Sequence, residues 1–448
     1  MESRFKVIIV GGGPIGLIAA HALHQAGIDF IVLERRNSIV EDSGASIVLY
    51  PQTFRVLHQL GILETLLPWG TELNHHLSFT KDGMVLNESS RHQKLKENLG
   101  YGSAVFHRAE LLQVIYDCLP ENAKPKVIAG KKLANIEDHG ESVTVSCADG
   151  SVYHGSMVIG ADGVHSKTRH LMREIALREN PLRDWDAETP YESTFRLLFG
   201  AFPASSTPGQ AYDVQSLGKS AVYLSGKDRG WFFLYDKLPK PTTVTTRYNE
   251  KDVEILAGEF ADFPLTKTLK IKDVWPNMSA VGLTDLQEGI VKHWSLGRIV
   301  LVGDSCHKFT THLGLGFNNG VQDVVILCNR LRAHFHTTPD ETPDIEALTE
   351  IFKTYESIRK SPECSMVADL ANSGLETRLH TWANTIYRIF SRYISILPLF
   401  ESIFLRFSLF PQFQKARVLD YIPSSEVMNG KLPWLHPMEK SSSLASGL

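Results

Sequence analysis

The stretch KVIIVGGGPIGLIAAHALHQAGIDFIVLE, residues 6–34, decides the fold. Its first five residues form an apolar, β-branched run of strand type. The glycines that follow are spaced Gly11-x-Gly13-x-x-Gly16, ahead of a helical pattern from Leu17 to Gln25. A second apolar run, Phe30 to Leu33, ends on Glu34, so the chain opens with a βαβ unit. Each glycine has a reason there: a tight turn, close backbone approach to a pyrophosphate, and packing of helix on strand. The helix N-terminus presents free N–H groups and a positive dipole end to phosphates. Glu34, about twenty residues on, stands where a carboxylate accepts both ribose hydroxyls.

That carboxylate would repel an adenosine 2′-phosphate, which disfavours NADP as the resident dinucleotide and favours FAD or NAD. Arg35 and Arg36 soften the repulsion. Working outward, a second block over residues 101–176 holds a helix from Arg108 to Cys118, a strand around Ser142 to Cys147, and the apolar run Ser156 to Ile159 closing on Gly160-Ala161-Asp162-Gly163. A third begins at Arg298, where RIVLV ends in Gly303-Asp304, about 270 residues beyond Glu34. So distant a return suits a long, two-ended flavin better than NAD, whose second mononucleotide half follows soon after the first. Asp304, at the carboxyl end of a parallel strand, is placed to meet a ribityl hydroxyl, although a turn aspartate reads the same way. Gly314-Leu315-Gly316-Phe317-Asn318-Asn319-Gly320 then precedes a helical pattern, with Asn318 as the expected N-cap. The dipole end of that helix would favour an anionic reduced flavin.

Between the second and third blocks, Thr194 to Phe202 and Gly230 to Lys237 alternate apolar and polar residues, as in a half-buried antiparallel sheet of a separate β-rich domain. Residues 382–413 are aromatic and aliphatic, but Arg388, Arg392, Glu401 and Arg406 interrupt them and Pro398 splits them. They fall short of the roughly 18–20 apolar residues of a membrane span, leaving helices packed on the domain or a peripheral membrane or partner surface. A formal charge of −4 over 448 residues carries no basic surplus for nucleic acid. Five scattered cysteines without CxxC or metal-like His spacing suit a reducing compartment and no metal. With a polar start and no signal peptide, the expectation is a cytoplasmic protein, with peripheral contact at an internal membrane as the second option.

GGGPIG with Glu34, Gly160-Ala161-Asp162-Gly163 with Ser166 and Arg169, and Gly303-Asp304-Ser305-x-His307 with the glycines after it resemble the three motifs of the single-component FAD-dependent monooxygenases of the salicylate-hydroxylase-like branch. Gly44-Ala45-Ser46-Ile47 with Pro51, His107-Arg108, Phe195-Arg196-x-x-Phe199-Gly200, His307-Lys308 and Leu419-Asp420-Tyr421-Ile422-Pro423 resemble fungal epoxidases and hydroxylases of meroterpenoid and indole-alkaloid pathways. The resemblance spans nearly the whole chain. It implies an α/β fold like p-hydroxybenzoate hydroxylase: a Rossmann-like FAD-binding domain (1–72, 101–178, 283–375), an inserted sheet-rich substrate domain (73–100, 179–282), a C-terminal helical region (376–435) and a disordered tail (436–448).

The resemblance also implies the chemistry: transient NADPH or NADH reduces FAD, O2 forms a flavin C4a-hydroperoxide, and one oxygen epoxidises or hydroxylates a bulky hydrophobic secondary metabolite such as a prenylated aromatic, terpenoid or indole. It assigns FAD contacts to Gly11, Gly13, Gly16, Glu34, Arg35, Ala45, Arg108, Asp162, Gly163, Asp304, Gly314, Gly316, Phe317 and Asn318. Arg108 would hold the ribityl or phosphate region and Asp162 would serve both FAD and the transient nucleotide. For the reacting end the candidates are Arg196, one charge among phenylalanines, and Tyr191, with Tyr223 and Tyr235 behind them. Arg196 reads equally as an ion pair on the sheet's solvent face. Where the family carries Pro and Gln near the flavin edge, this chain has Thr311 and Leu315. That departure keeps open a dehydrogenase or cyclase without oxygen insertion, and a non-catalytic FAD-containing binding protein.

Overall fold

The computed structural model describes residues 5–42, 44–338, 342–380, 410–426 and 429–438. Most of the 382–413 region weighed above as a membrane or partner surface lies outside them. Among the described residues no helix is long and apolar enough to cross a membrane, and all five cysteines are free.

Lys6–Val10 lies inside a six-stranded sheet ordered Ser295–Leu296, Ile299–Leu301, Met157–Gly160, Lys6–Val10, Asp29–Leu33, Val127–Ile128. Its pairings are parallel except for the hairpin of the first two. The run KVIIV is apolar throughout because a parallel strand is covered on both faces, and Val7 to Val10 are all buried. The chain leaves this strand toward Asp29–Leu33 on one side and returns on the other side through Met157–Gly160, so the strand order reverses there. In open α/β sheets the ligand crevice lies outside the strand ends at such a point. The helices Pro14–Gln25 and Leu315–Thr337 pack against each other.

A second sheet of eight strands runs His307–Lys308, Ala280–Ile290, Glu192–Pro203, Arg229–Thr242, Lys219–Ser225, Gln210–Gln215, His75–Thr80, Val85–Ser89. It is antiparallel apart from the pairing of Gln210–Gln215 with His75–Thr80. The expected half-buried sheet is instead covered on both faces: Gly230 to Asp236 are all buried. Leu198, Phe202, Phe232 and Leu234 pack beneath the helix Glu250–Glu259 through Leu256 and Phe260. Leu197, Val222, Phe233, Tyr235 and Leu286 form the opposite face.

Helix Leu315–Thr337 starts four residues earlier than expected, with Gly314 in the left-handed region (φ +61) at its N-cap. Asn318 is therefore inside the first turns and is not the cap. On this helix, Asp323 accepts hydrogen bonds from Gly303 N (2.7 Å), His307 Nε2 (2.7 Å) and Arg359 Nε (2.6 Å). Arg359 also donates to Asn319, whose Nδ2 donates to Asp369 Oδ2 at 3.0 Å.

Burial pushes the Asp369 carboxyl up to about 6, against the pull of Asn319 and Ser365. A carboxyl whose pKa is higher in the folded than in the unfolded chain burdens the fold when ionised, fully above about pH 6 and not at all below about pH 4. Asp369→Asn, which keeps an acceptor for Asn319, is therefore expected to raise thermal stability at pH 7.5 by up to about 3 kcal/mol and to leave it unchanged at pH 4. Thermal melts of the two proteins at both pH values check this; a gain that is the same at both would refute it.

Candidate functional site

At the end of the first strand, Gly11 takes φ +110 and lies so close to the Gly160-Ala161 turn that a Cβ would stand 2.5 Å from Ala161 O. A Cβ on Gly16 would stand 1.9 Å from Gly11 O, so this glycine lets the helix start directly against the turn. Gly13 differs: its Cβ position meets nothing within 4 Å, and it borders the cavity. Pro14 begins the helix, where its missing N–H is not needed. The remaining first-turn N–H groups have no partner within the helix.

Glu34 is fixed by backbone: its Oε2 accepts from Gly12 N at 2.7 Å and its Oε1 from Arg36 N at 2.9 Å. Each oxygen keeps lone-pair capacity for a hydroxyl. Arg35 and Ala45 line the same space. Arg108 opens the helix Arg108–Asp117, its N–H donating to Ala45 O at 3.0 Å. Burial and then Arg36 push its pKa down, while Asp304 and Glu34 pull it back up. Among the described residues its guanidinium makes no ion pair, which leaves a half-buried cation facing the cavity between two carboxylate positions.

Asp162 and Gly163 line the cavity too, but the Asp162 carboxylate is already engaged. Oδ1 accepts from Ser166 Oγ (2.6 Å) and Oδ2 from Thr168 N (2.9 Å) and Oγ1 (3.1 Å), which ties the turn to the helix Lys167–Glu179. Arg169 crosses from that helix to Ser305 O at 2.8 Å and lies over the Tyr191 ring.

Asp304 sits in the short helical turn Gly303–Ser305, paired with Lys308. This turn meets the N-terminal glycine turn through one side chain. Cβ atoms built on Gly303 and Gly320 would stand 3.3 Å and 2.6 Å from Ile15, so Ile15 is gripped between segments nearly 300 residues downstream. Gly314, Gly316 and Phe317 line the cavity beside it. Asn318 does not. Its Oδ1 accepts from Tyr50 N and Thr53 Oγ1 and its Nδ2 donates to Val48 O and Gly314 O, which makes it a clamp behind the wall. Gly16 is likewise a packing position and not a lining one.

One cavity of about 1000 Å³ joins these groups to the inner face of the second sheet, where Leu197, Phe199, Val222, Leu224, Phe233 and Leu286 line it. Arg196 is on the other face. Its neighbours Phe195 and Leu197 point inward, so strand alternation turns it outward, where its Nε donates to Asp236 Oδ2 at 2.8 Å. The expectation of a donor at the reacting end fails for this residue. Tyr191 is buried behind the Asp304 turn, its hydroxyl donating to Asp304 O at 3.3 Å, and does not line the cavity. Tyr223 belongs to the outer face and bonds Ser206. Tyr235 does line the cavity, with its hydroxyl 2.8 Å from Thr311 Oγ1 and its ring stacked on His312 at 3.6 Å. His76, His92, Arg91 and Asp213 also line it. Nothing in the local pattern marked these four, because the carboxylate lies 137 positions from the imidazole it bonds.

Cys306, His307 and Asp323 bring ligand-type atoms within 4.8 Å of one another. Here both Asp323 oxygens are taken by His307, Arg359 and Gly303, and burial pushes the Cys306 thiol well up, away from the thiolate a metal needs. The cluster is an internal ion-pair network.

An open glycine cradle at a helix start, a backbone-fixed carboxylate, a cation without an ion pair among the described residues and a second strand-end aspartate around one cavity fit flavin adenine dinucleotide. The family described as FAD binding domain matches residues 4–180 and 252–361. The FAD-dependent monooxygenase esdpE of Penicillium shearii is 32% identical over 96% of this chain and 92% of its own. The FAD-dependent monooxygenase prhF of Penicillium brasilianum is 32% identical over 88% and 83%. In fold, Klebsiella pneumoniae HpxO complexed with FAD and uric acid superposes with a TM-score of 0.72 at 21% identity, covering 93% of this chain and 98% of that one. The p-nitrophenol 4-monooxygenase PnpA of Pseudomonas putida DLL-E4 does so at 0.71 and 19%, covering 91% and 98%.

Proposed function

Because the chain belongs to the family of FAD-dependent monooxygenases, we propose that it consumes NADPH or NADH to insert one oxygen atom into an electron-rich double bond or ring of a bulky hydrophobic secondary metabolite. Prenylated aromatics, terpenoids and indoles are the substrate classes that suit it. When bound, the flavin supplies the redox chemistry, accepting a hydride and activating dioxygen.

The observation that carries this reading is the contact of Ile15 with Gly303 and Gly320, which makes two distant turns into one continuous binding wall. Along it, Glu34 would orient the adenosine ribose, and Arg108, a half-buried cation, would neutralise phosphate or hold the ribityl chain. Asp304 would take a ribityl hydroxyl, and the start of Leu315–Thr337 would offer its positive dipole end to the pyrimidine side. Beyond that end the lining becomes apolar, with Leu197, Phe199, Val222, Phe233 and Leu286 excluding water from the reacting position and packing an apolar substrate. Tyr235, with its hydroxyl shared with Thr311, is the lining side chain best able to hold a proton near the reacting end. Burial, opposed by the Thr311 hydrogen bond, raises its pKa far above the ordinary tyrosine value, so it stays protonated.

The test is purification with a visible absorbance spectrum, then NADPH and NADH oxidation against a panel of prenylated aromatics and indoles, with product masses. Substrate-stimulated oxidation and a gain of one oxygen are expected. A product of unchanged or lower mass would point to cyclisation or dehydrogenation, and a flavin that never bleaches would point to a binding role.

A further inference from the structure

The edge of the second sheet opposite His307–Lys308 carries a buried polar group inside an apolar lining. Strands His75–Thr80 and Gln210–Gln215 run parallel with Ser78 beside Asp213, and this register brings His76 Nε2 to 2.5 Å from Asp213 Oδ2. Helix Arg91–Leu99 sets His92 edge-on to His76, ring centroids 6.2 Å apart. His92 Nδ1 is hydrogen-bonded to Ser103 Oγ. All three side chains border the cavity, among Leu73, Ala211, Val222 and Leu224.

His92 is 3% exposed, and its Nε2, the ring nitrogen turned away from Ser103, has no hydrogen-bond partner among the described residues. Buried polar atoms are nearly always satisfied, and one left without a partner calls for a bound molecule or some other explanation. Burial, and secondarily Arg91 and His76, hold this imidazole neutral, so it offers a hydrogen bond and not a charge. We propose that His92 is a substrate-anchoring residue, whose Nε2 hydrogen-bonds a hydroxyl or carbonyl oxygen carried by the hydrophobic substrate. The His76–Asp213 pair fixes the wall against which the His92 ring stands, and Ser103 fixes the ring's rotation. This rests on the reading above that the cavity takes a hydrophobic small molecule, and it narrows that class to molecules bearing an oxygen function at the end that reaches this edge.

The experiment uses the FAD-loaded full chain titrated with two matched pairs, a farnesylated phenol against farnesylbenzene and farnesylacetone against its parent hydrocarbon, with binding read from the visible flavin spectrum. Filling a buried, unsatisfied site is worth roughly tenfold in affinity. The ratio of affinities within at least one pair should therefore fall about tenfold from the wild type to His92→Leu. His92→Gln, which keeps a hydrogen-bonding group, should recover part of it. Ser103→Ala, which leaves the imidazole in place but frees its rotation, should lower the ratio at unchanged FAD content; it also serves if His92→Leu does not fold. Ratios unchanged within twofold in these variants would overturn the anchor while leaving the hydrophobic-substrate reading intact. If no compound perturbs a yellow, reducible protein, that reading falls and the anchor falls with it.

Discussion

Gly13→Asp is expected to give a folded but colourless protein. The position is unusual among the glycines of its turn, because a Cβ there meets nothing within 4 Å and the backbone, at φ −72 and ψ −179, suits any residue. Aspartate is moreover a favoured N-cap residue, so the helix it begins should be at least as stable as before. What changes is the charge. A carboxylate would stand at the helix N-terminus, where the pyrophosphate is expected to lie. Two like charges about 4 Å apart repel by about 4 kcal/mol at the effective dielectric of a protein surface, which corresponds to roughly a thousandfold loss of FAD affinity. The measurement is flavin content after purification together with a thermal melt of the apoprotein. Full yellow colour in Gly13→Asp would remove the N-terminal glycine turn from the cofactor site. Gly16→Ala is the contrasting variant: with its Cβ 1.9 Å from Gly11 O, it should lower both flavin content and stability, because the turn itself must move.

The second large effect is expected at the fully buried Asp323. Asp323→Ala leaves the buried Arg359 guanidinium without its carboxylate and leaves Gly303 N and His307 Nε2 without an acceptor. Breaking a buried pair by removing one partner costs about 3–5 kcal/mol, enough to lower the melting temperature clearly. Because Gly303 N is one of the groups held, flavin retention should fall as well, through the Asp304 turn. Burial works to raise the Asp323 carboxyl, but His307, Arg359 and Gly303 N outweigh it and hold the group below the ordinary carboxylate range. A carboxyl depressed in the folded state contributes stability above its unfolded pKa and loses it as pH falls through the folded value. The destabilisation should therefore be full at pH 7 and shrink only in strong acid, below about pH 4. A variant that melts with the wild type would show that the network carries no stability.

Both predictions rest on features of different legibility. The βαβ unit, its three glycines and Glu34 could be read from residues 6–34 because each is a local requirement: a period of two or of 3.6, a turn that only glycine can make, and a carboxylate one strand-length away. Asp304 was legible for the same reason, as the residue after a buried strand run. Asn318 was misread as a cap because helix starts are set by backbone conformation, and Gly314 with φ +61 begins the helix earlier.

Arg196 marks the boundary between the two kinds of knowledge. The sequence by itself determined that neighbours on its strand point to opposite faces, and that the chain opens with a dinucleotide-binding turn. Only the tertiary structure decided which face became cavity wall. It covered the other face with Glu250–Glu259, put Asp236 beside Arg196 and brought Asp213 against His76. Periodicity along a chain specifies relative orientation, whereas a side chain's partner is set by segments that meet only when the sheets assemble.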